Sequence, residues 1–106
     1  MTRLFPLLLA LALAGCAAER VLVPDAPPPE RREEPTPSPG GHAVWFSGHW
    51  AWDPAKRLYY WEAGRWDRDR PGELWIPGYW ERVEEDGKIL GWAWVEPRWE
   101  RSTARR

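Results

Sequence analysis

The side chains able to do chemistry in this sequence are few and scattered. His42 and His49 are its two histidines and Cys16 its single cysteine. With Asp53 the imidazoles would make a weak metal site at best, because no recognised ligand spacing is present. Glu62, Glu73, Glu81 and Glu96 are carboxylates of the type that work in pairs in glycoside hydrolysis. None lies in a distinguishing motif, and most stand beside basic residues, as on a solvated face. Ser47, Ser102 and Thr103 lack the context of a catalytic triad, and the glycines form no phosphate-binding loop. The expectation is a chain with no catalytic residues, no metal and no cofactor, and not an enzyme. Its unusual resource is tryptophan, with 10 in 106 residues.

The tryptophans are regularly spaced. A hexapeptide with Trp first, Gly fourth and Trp sixth occurs at 45–50 (WFSGHW), 61–66 (WEAGRW) and 75–80 (WIPGYW). A fourth copy, 94–99 (WVEPRW), has Pro97 in place of the glycine. An internal repeat of this kind governs the fold. Around it, Trp50 and Trp52, Tyr59 and Trp61, and Leu90, Trp92 and Trp94 alternate with a period of two, which argues half-buried strands. Asp53-Pro54 and Pro71-Gly72 mark turns, and Asp86-Gly87 favours a type I′ hairpin. The expected strands are 44–47, 49–53, 57–62, 65–67, 74–76, 78–84, 88–95 and 98–100. They imply an all-β fold, a small antiparallel meander or incomplete barrel.

The two tryptophans of each hexapeptide are five positions apart, an odd spacing, so in an unbroken strand the rings would face opposite ways. The structural repeat glycines, Gly48, Gly64 and Gly78, offer a way out. At each the expectation is a bulge or turn, with a positive φ or a register shift, that returns both rings to one side. A bare glycine backbone would also let a neighbouring indole pack onto it.

The hexapeptides resemble the bacterial WXXGXW (YXWGXW) repeat family, with Tyr59 and Trp61 meeting the fuller pattern's spacing. The resemblance covers about Val44 to Trp99. It implies a small exported protein, often a lipoprotein, in a family without accepted catalytic residues. Some members look like accessory lipoproteins encoded beside secretion or contact-dependent competition systems. Pro97 departs from the pattern and suggests a terminal, capping version of the unit.

The N-terminal third has a different composition. Leu4 to Leu13 is an apolar run after Arg3, too short to span a bilayer but shaped as a secretory signal. It ends in Leu13-Ala14-Gly15-Cys16, which resembles a lipobox. The expectation is a signal peptide over 1–15 and lipidation of Cys16, giving a membrane anchor of more than one acyl chain. Ala17 resembles the default sorting class for the outer membrane, facing the periplasm. Residues 16–42 carry the prolines from Pro24 to Pro39, with Glu30, Arg31, Arg32, Glu33 and Glu34 among them. They read as an extended, polyproline-like flexible tether. The alternative reading is a ligand for an aromatic groove, including this protein's own tryptophans. The repeat domain is expected over 43–100 and a basic tail over 101–106.

A folded part this small lies near the lower limit for an unaided core. Most tryptophans are therefore needed for packing, together with Val44, Phe46, Leu58, Tyr59, Tyr60, Leu74, Ile76, Tyr79, Val83, Ile89, Leu90 and Val95. A homodimer would relieve the same shortage. Charge is balanced, 15 Lys plus Arg against 16 Asp plus Glu, which disfavours nucleic acid as a partner. The expected function is a non-enzymatic envelope lipoprotein acting as a structural or protein-interaction module, with an envelope or secretion-system protein as partner. The alternative is a module binding peptidoglycan or another glycan through exposed Trp and Tyr faces. The candidate binding residues are Trp50, Trp52, Tyr59, Trp61 and Trp80.

Overall fold

The computed structural model of the chain describes residues 20–103. The signal peptide and Cys16 lie outside them. Among the described residues, no helix is long and apolar enough to cross a membrane. The fold is a small all-β domain of short antiparallel strands in incomplete sheets. The strands are β1 (Ala43–Phe46), β2 (His49–Asp53), β3 (Leu58–Glu62), β4 (Arg65–Arg68), β5 (Glu73–Ile76), β6 (Tyr79–Glu85), β7 (Lys88–Val95) and β8 (Arg98–Arg101). They start and stop close to where the period-two pattern places them.

The pairing is nested. β2 pairs β3 and β1 pairs β4, so the first two hexapeptides form one long hairpin with a gap in its ladder. β6 pairs β7 and β5 pairs β8, so the last two form another. Each hexapeptide therefore meets its partner head to tail, and their tryptophans pair directly across the strands: Trp45 with Trp66, Trp50 with Trp61, Trp75 with Trp99 and Trp80 with Trp94. The first three pairs meet edge to face, with ring centroids 5.3–5.4 Å apart, and the fourth is tilted at 5.5 Å. These are favoured geometries for aromatic pairs.

The tips follow local chemistry. Asp86 and Gly87 both have positive φ, 50° and 76°, as a type I′ turn requires. At the other tip, Asp53 Oδ1 accepts hydrogen bonds from the backbone N–H groups of Ala55 and Lys56, 2.9 and 3.0 Å away. This is an Asx turn.

The repeat glycines behave differently from expectation. Gly48, Gly64 and Gly78 do not have positive φ. The register is also unshifted across each gap: Phe46 faces Arg65 and His49 faces Glu62, and likewise Ile76 faces Arg98 and Tyr79 faces Val95. The one register shift in either ladder lies between Val83 and Glu84, near the second tip. Close approach explains the glycines instead. A Cβ on Gly48 would stand 2.7 Å from Trp61 Cζ2, and one on Gly64 or Gly78 would collide with Trp45 or Trp94. Each glycine thus carries an indole of the facing hexapeptide on its bare backbone.

The core is thin. Among the described residues, Val23 and Ala93 are the buried hydrophobic ones, at 2 % and 1 % exposure. Leu58, Tyr60, Leu74, Tyr79, Ile89 and Leu90, expected in the core, are exposed. A two-stranded ribbon buries what its Trp face and its contacts cover, and these residues lie outside both. Phe46 joins the hairpins by stacking on Trp75, with centroids 3.9 Å apart and planes 6° from parallel. His49 stacks on Trp94 at 4.5 Å. Trp80 donates its indole N–H to the carbonyl of Trp50 at 2.8 Å and sets its ring against Tyr59.

Residues 23–36 complete the fold as a strap. Val23 exchanges two backbone hydrogen bonds of 2.8 Å with Trp92. Gly91 permits this approach, since a Cβ there would stand 2.8 Å from the Val23 carbonyl oxygen. The strap then runs along the first hairpin to Thr36. The proline-rich stretch is extended, as its composition dictates, but it is docked on the protein's own aromatic residues rather than standing free of them.

Candidate functional site

Two features of the surface have the chemistry of a binding site. The first is a cleft between the hairpins, about 530 Å³ in volume. The ladder gaps place it: unpaired Ser47, Gly48, Ala63, Pro77, Gly78 and Pro97 leave the backbone open there. Phe46, Trp50, Trp75, Tyr79, Trp80 and Trp94 supply rings. Polar groups come from His49, Glu62 and Arg65, and Pro27, Pro28 and Glu30 of the strap form one wall. His49 Nε2 lies 3.1 Å from Glu62 Oε2, and His49 Nδ1 lies 3.1 Å from the Trp50 carbonyl oxygen. Tyr79 is half exposed, at 50 %, so its phenol ring and hydroxyl are free to meet a ligand. A second cavity, about 470 Å³, shares His49, Trp50, Trp80 and Trp94 and adds Trp52.

The second feature is the face under the strap. Glu33 sits at the gap of the first hairpin. Its carboxylate accepts hydrogen bonds from Gly48 N–H at 3.0 Å, Gly64 N–H at 3.0 and 3.1 Å, and Trp61 Nε1–H at 3.2 Å. The Gly64 amide, with the Trp61 indole and the Gly48 amide, holds the Glu33 carboxyl below its ordinary range, against a smaller opposing effect of burial. The two amides freed from the ladder thus find their acceptor here. A Cβ on Gly48 would meet both this carboxylate and the Trp61 ring, and one on Gly64 would meet both it and the Trp45 ring, so the two rings lie on the strap side with no register shift. Trp50 Nε1–H bonds the Pro29 carbonyl at 3.0 Å, and Trp66 Nε1–H bonds Thr36 O and Oγ1 at 2.9 and 3.1 Å. The Arg31 guanidinium lies 4.9 Å from the ring centroid of Trp50 and 5.8 Å from that of Trp61, within cation–π range. The Tyr59 hydroxyl donates to the Asp25 carbonyl at 2.6 Å. Burial, aided by the Asp25 charge, pushes the Tyr59 phenol up to about 12.

The five candidate binding residues are brought into one cluster, but they do not share one role. Trp50 and Trp80 line the cleft. Trp52 packs edge-on against Tyr59 at 4.9 Å and faces the second cavity. Tyr59 and Trp61 are engaged by the strap. Sequence reasoning missed Tyr79 and Arg65 as cleft residues and Glu33, Pro29 and Thr36 as strap contacts. Position within the repeat offered a signal for the first two, since Arg65 and Tyr79 occupy the fifth place of their hexapeptides. The strap contacts had no periodic signal.

Among the described residues, no group of three or more His, Cys, Asp or Glu side chains is placed to hold a metal ion. No family model, no curated protein and no solved structure matches the chain. The functional argument therefore rests on the site.

Proposed function

We propose that this protein is a non-catalytic binding module of the bacterial cell envelope, anchored through a lipidated Cys16, and that the inter-hairpin cleft takes a saccharide segment of the envelope. The observation that carries this reading is the cleft itself. Rings from both hairpins line a volume suited to one or two sugar units, and Glu62, Arg65 and His49 stand where hydroxyl and carboxylate groups would be bonded. Aromatic walls with a few placed polar groups are the usual make-up of small-ligand sites. The outer-membrane, periplasm-facing location belongs to the same proposal, as does peptidoglycan as the nearest glycan.

The test uses the mature chain with Cys16→Ser and purified cell-wall sacculi in a pelleting assay. Saturable binding is expected, with the bound fraction falling at least fivefold in a folded Tyr79→Ala, Arg65→Ala variant. These exposed residues are better probes than Trp61 and Trp80, which are tied into the fold. Equal pelleting of the variant, or none by folded protein, rejects the saccharide reading. The anchor is tested separately, because Cys16→Ser should abolish palmitate labelling in cells.

The strap favours a second reading, a protein-interaction module. Its contacts show an aromatic face of this fold holding an extended peptide. A homodimer or an envelope or secretion-system partner belongs to that reading.

A further inference from the structure

We propose that the strap face of the first hairpin is a recognition site for extended, proline-flanked peptide segments carrying a glutamate, and that residues 25–36 are its built-in occupant. The proposal deepens the protein-interaction reading and not the saccharide one, since its ligand is a peptide, although the strap also walls the cleft.

The hydrogen-bonding inventory of the two sides is complementary. The hairpin offers donors: the Gly48 and Gly64 amides, the indole N–H groups of Trp50, Trp61 and Trp66, and the Tyr59 hydroxyl. The strap answers with acceptors: the carbonyls of Asp25, Pro29 and Thr36 and the Glu33 carboxylate. Proline has no N–H to satisfy, so Pro27, Pro28, Pro29 and Pro35 present carbonyls without a competing backbone donor of their own. The preformed extended conformation of such a segment also loses little entropy on docking.

Selectivity comes from one position. Donors from both strands and one indole converge on Glu33, and a carboxylate receiving such bonds is held more strongly than a neutral group. The carbonyl contacts read conformation, whereas the Glu33 cradle reads charge. The hairpin's own ladder is complete on both sides of the gap without the strap, so another segment of the same chemistry can take its place. A tethered occupant competes at a high effective concentration. A competing segment therefore binds poorly until the strap is weakened.

The experiment uses the mature chain with Cys16→Ser, and the same chain with Glu33→Lys, titrated with a synthetic peptide of residues 24–36. Tryptophan fluorescence and the Gly48 and Gly64 amide signals report binding. The Glu33→Lys protein is expected to bind the peptide at least tenfold more tightly than the unaltered chain, with both glycine amides shifting. A peptide with Glu33→Gln should bind at least tenfold more weakly to the same protein. Folding is read from the amide signals of the second hairpin, and should Glu33→Lys fail to fold, Glu33→Gln in the chain serves with the same two comparisons. Absence of saturable binding to a folded variant, or equal affinity for the Glu and Gln peptides, overturns the proposal.

Discussion

In the first hairpin each strand brings a glycine to the gap, Gly48 and Gly64, whereas in the second the corresponding places hold Gly78 and Pro97. The tryptophan pairs, the unshifted register and the indole lying on glycine are common to both. The difference lies in one backbone N–H. With two amides free, the first gap holds a carboxylate. With proline in the second, one of those donors is missing, although both gaps line the inter-hairpin cleft. Packing in this repeat depends on Trp and on crowded glycines, two in the first gap and one in the second. Holding a carboxylate depends on the second free amide that the first gap supplies.

The comparison can be broken most forcefully at the shared element. Gly64→Val and Gly78→Val should each destabilise the fold by on the order of 3 kcal/mol, because the new side chain meets both an indole and a backbone carbonyl. Chemical denaturation checks this, and two near-silent variants would show that crowding does not set the glycine. Glu33→Ala should cost about 1–2 kcal/mol through lost hydrogen bonds to the two amides. In hydrogen exchange, protection should fall at Gly48 and Gly64 while Gly78 is unaffected. Equal loss at both gaps would erase the distinction between the hairpins.

Acid sharpens the same difference. The Glu33 carboxyl is lowered in the folded state from its ordinary value of 4.5. Its contribution is therefore full above that value and is lost as pH falls through the lowered folded one. The stability advantage of the unaltered protein over Glu33→Gln should hold at neutral pH and disappear in that acid window. At the alkaline end, the Tyr59 phenol is raised from 10.0 to about 12. Its contribution is full below 10.0 and is lost as pH rises through about 12, and ultraviolet titration should show a late phenol. Displacing the strap should move that titration back toward 10. The smallest effect is expected for Pro97→Gly, a loss of about 0.4–1 kcal/mol from greater freedom of the unfolded chain, measured as a small drop in denaturation midpoint with the tryptophan pairs intact.

Much of the fold was legible because strands announce themselves locally. Alternation at Trp50, Trp52, Tyr59 and Trp61, and the Asp86-Gly87 turn, act over a few residues and mark the strands closely. The glycine argument was half right. Indole packing on bare backbone occurs at all three, but φ and register do not change, and in the first gap the freed amides turn to a carboxylate from a distant segment. Leu58, Leu74 and Ile89 looked like core residues by composition, yet they are exposed. A narrow ribbon has too little covered face to hold them.

The five-residue Trp spacing and the period-two alternation alone dictated short aromatic strands, and the proline content alone dictated an extended N-terminal segment. Both follow from interactions within a few residues of the chain. Folding in three dimensions decided which hexapeptide meets which, where the strap lies, and that Glu33 rather than a ladder partner receives the Gly48 and Gly64 amides. Those outcomes join residues such as Glu33 and Gly64 that are far apart in the chain. They depend on which donors remain unpaired once the strands have formed, and no local pattern carries that information.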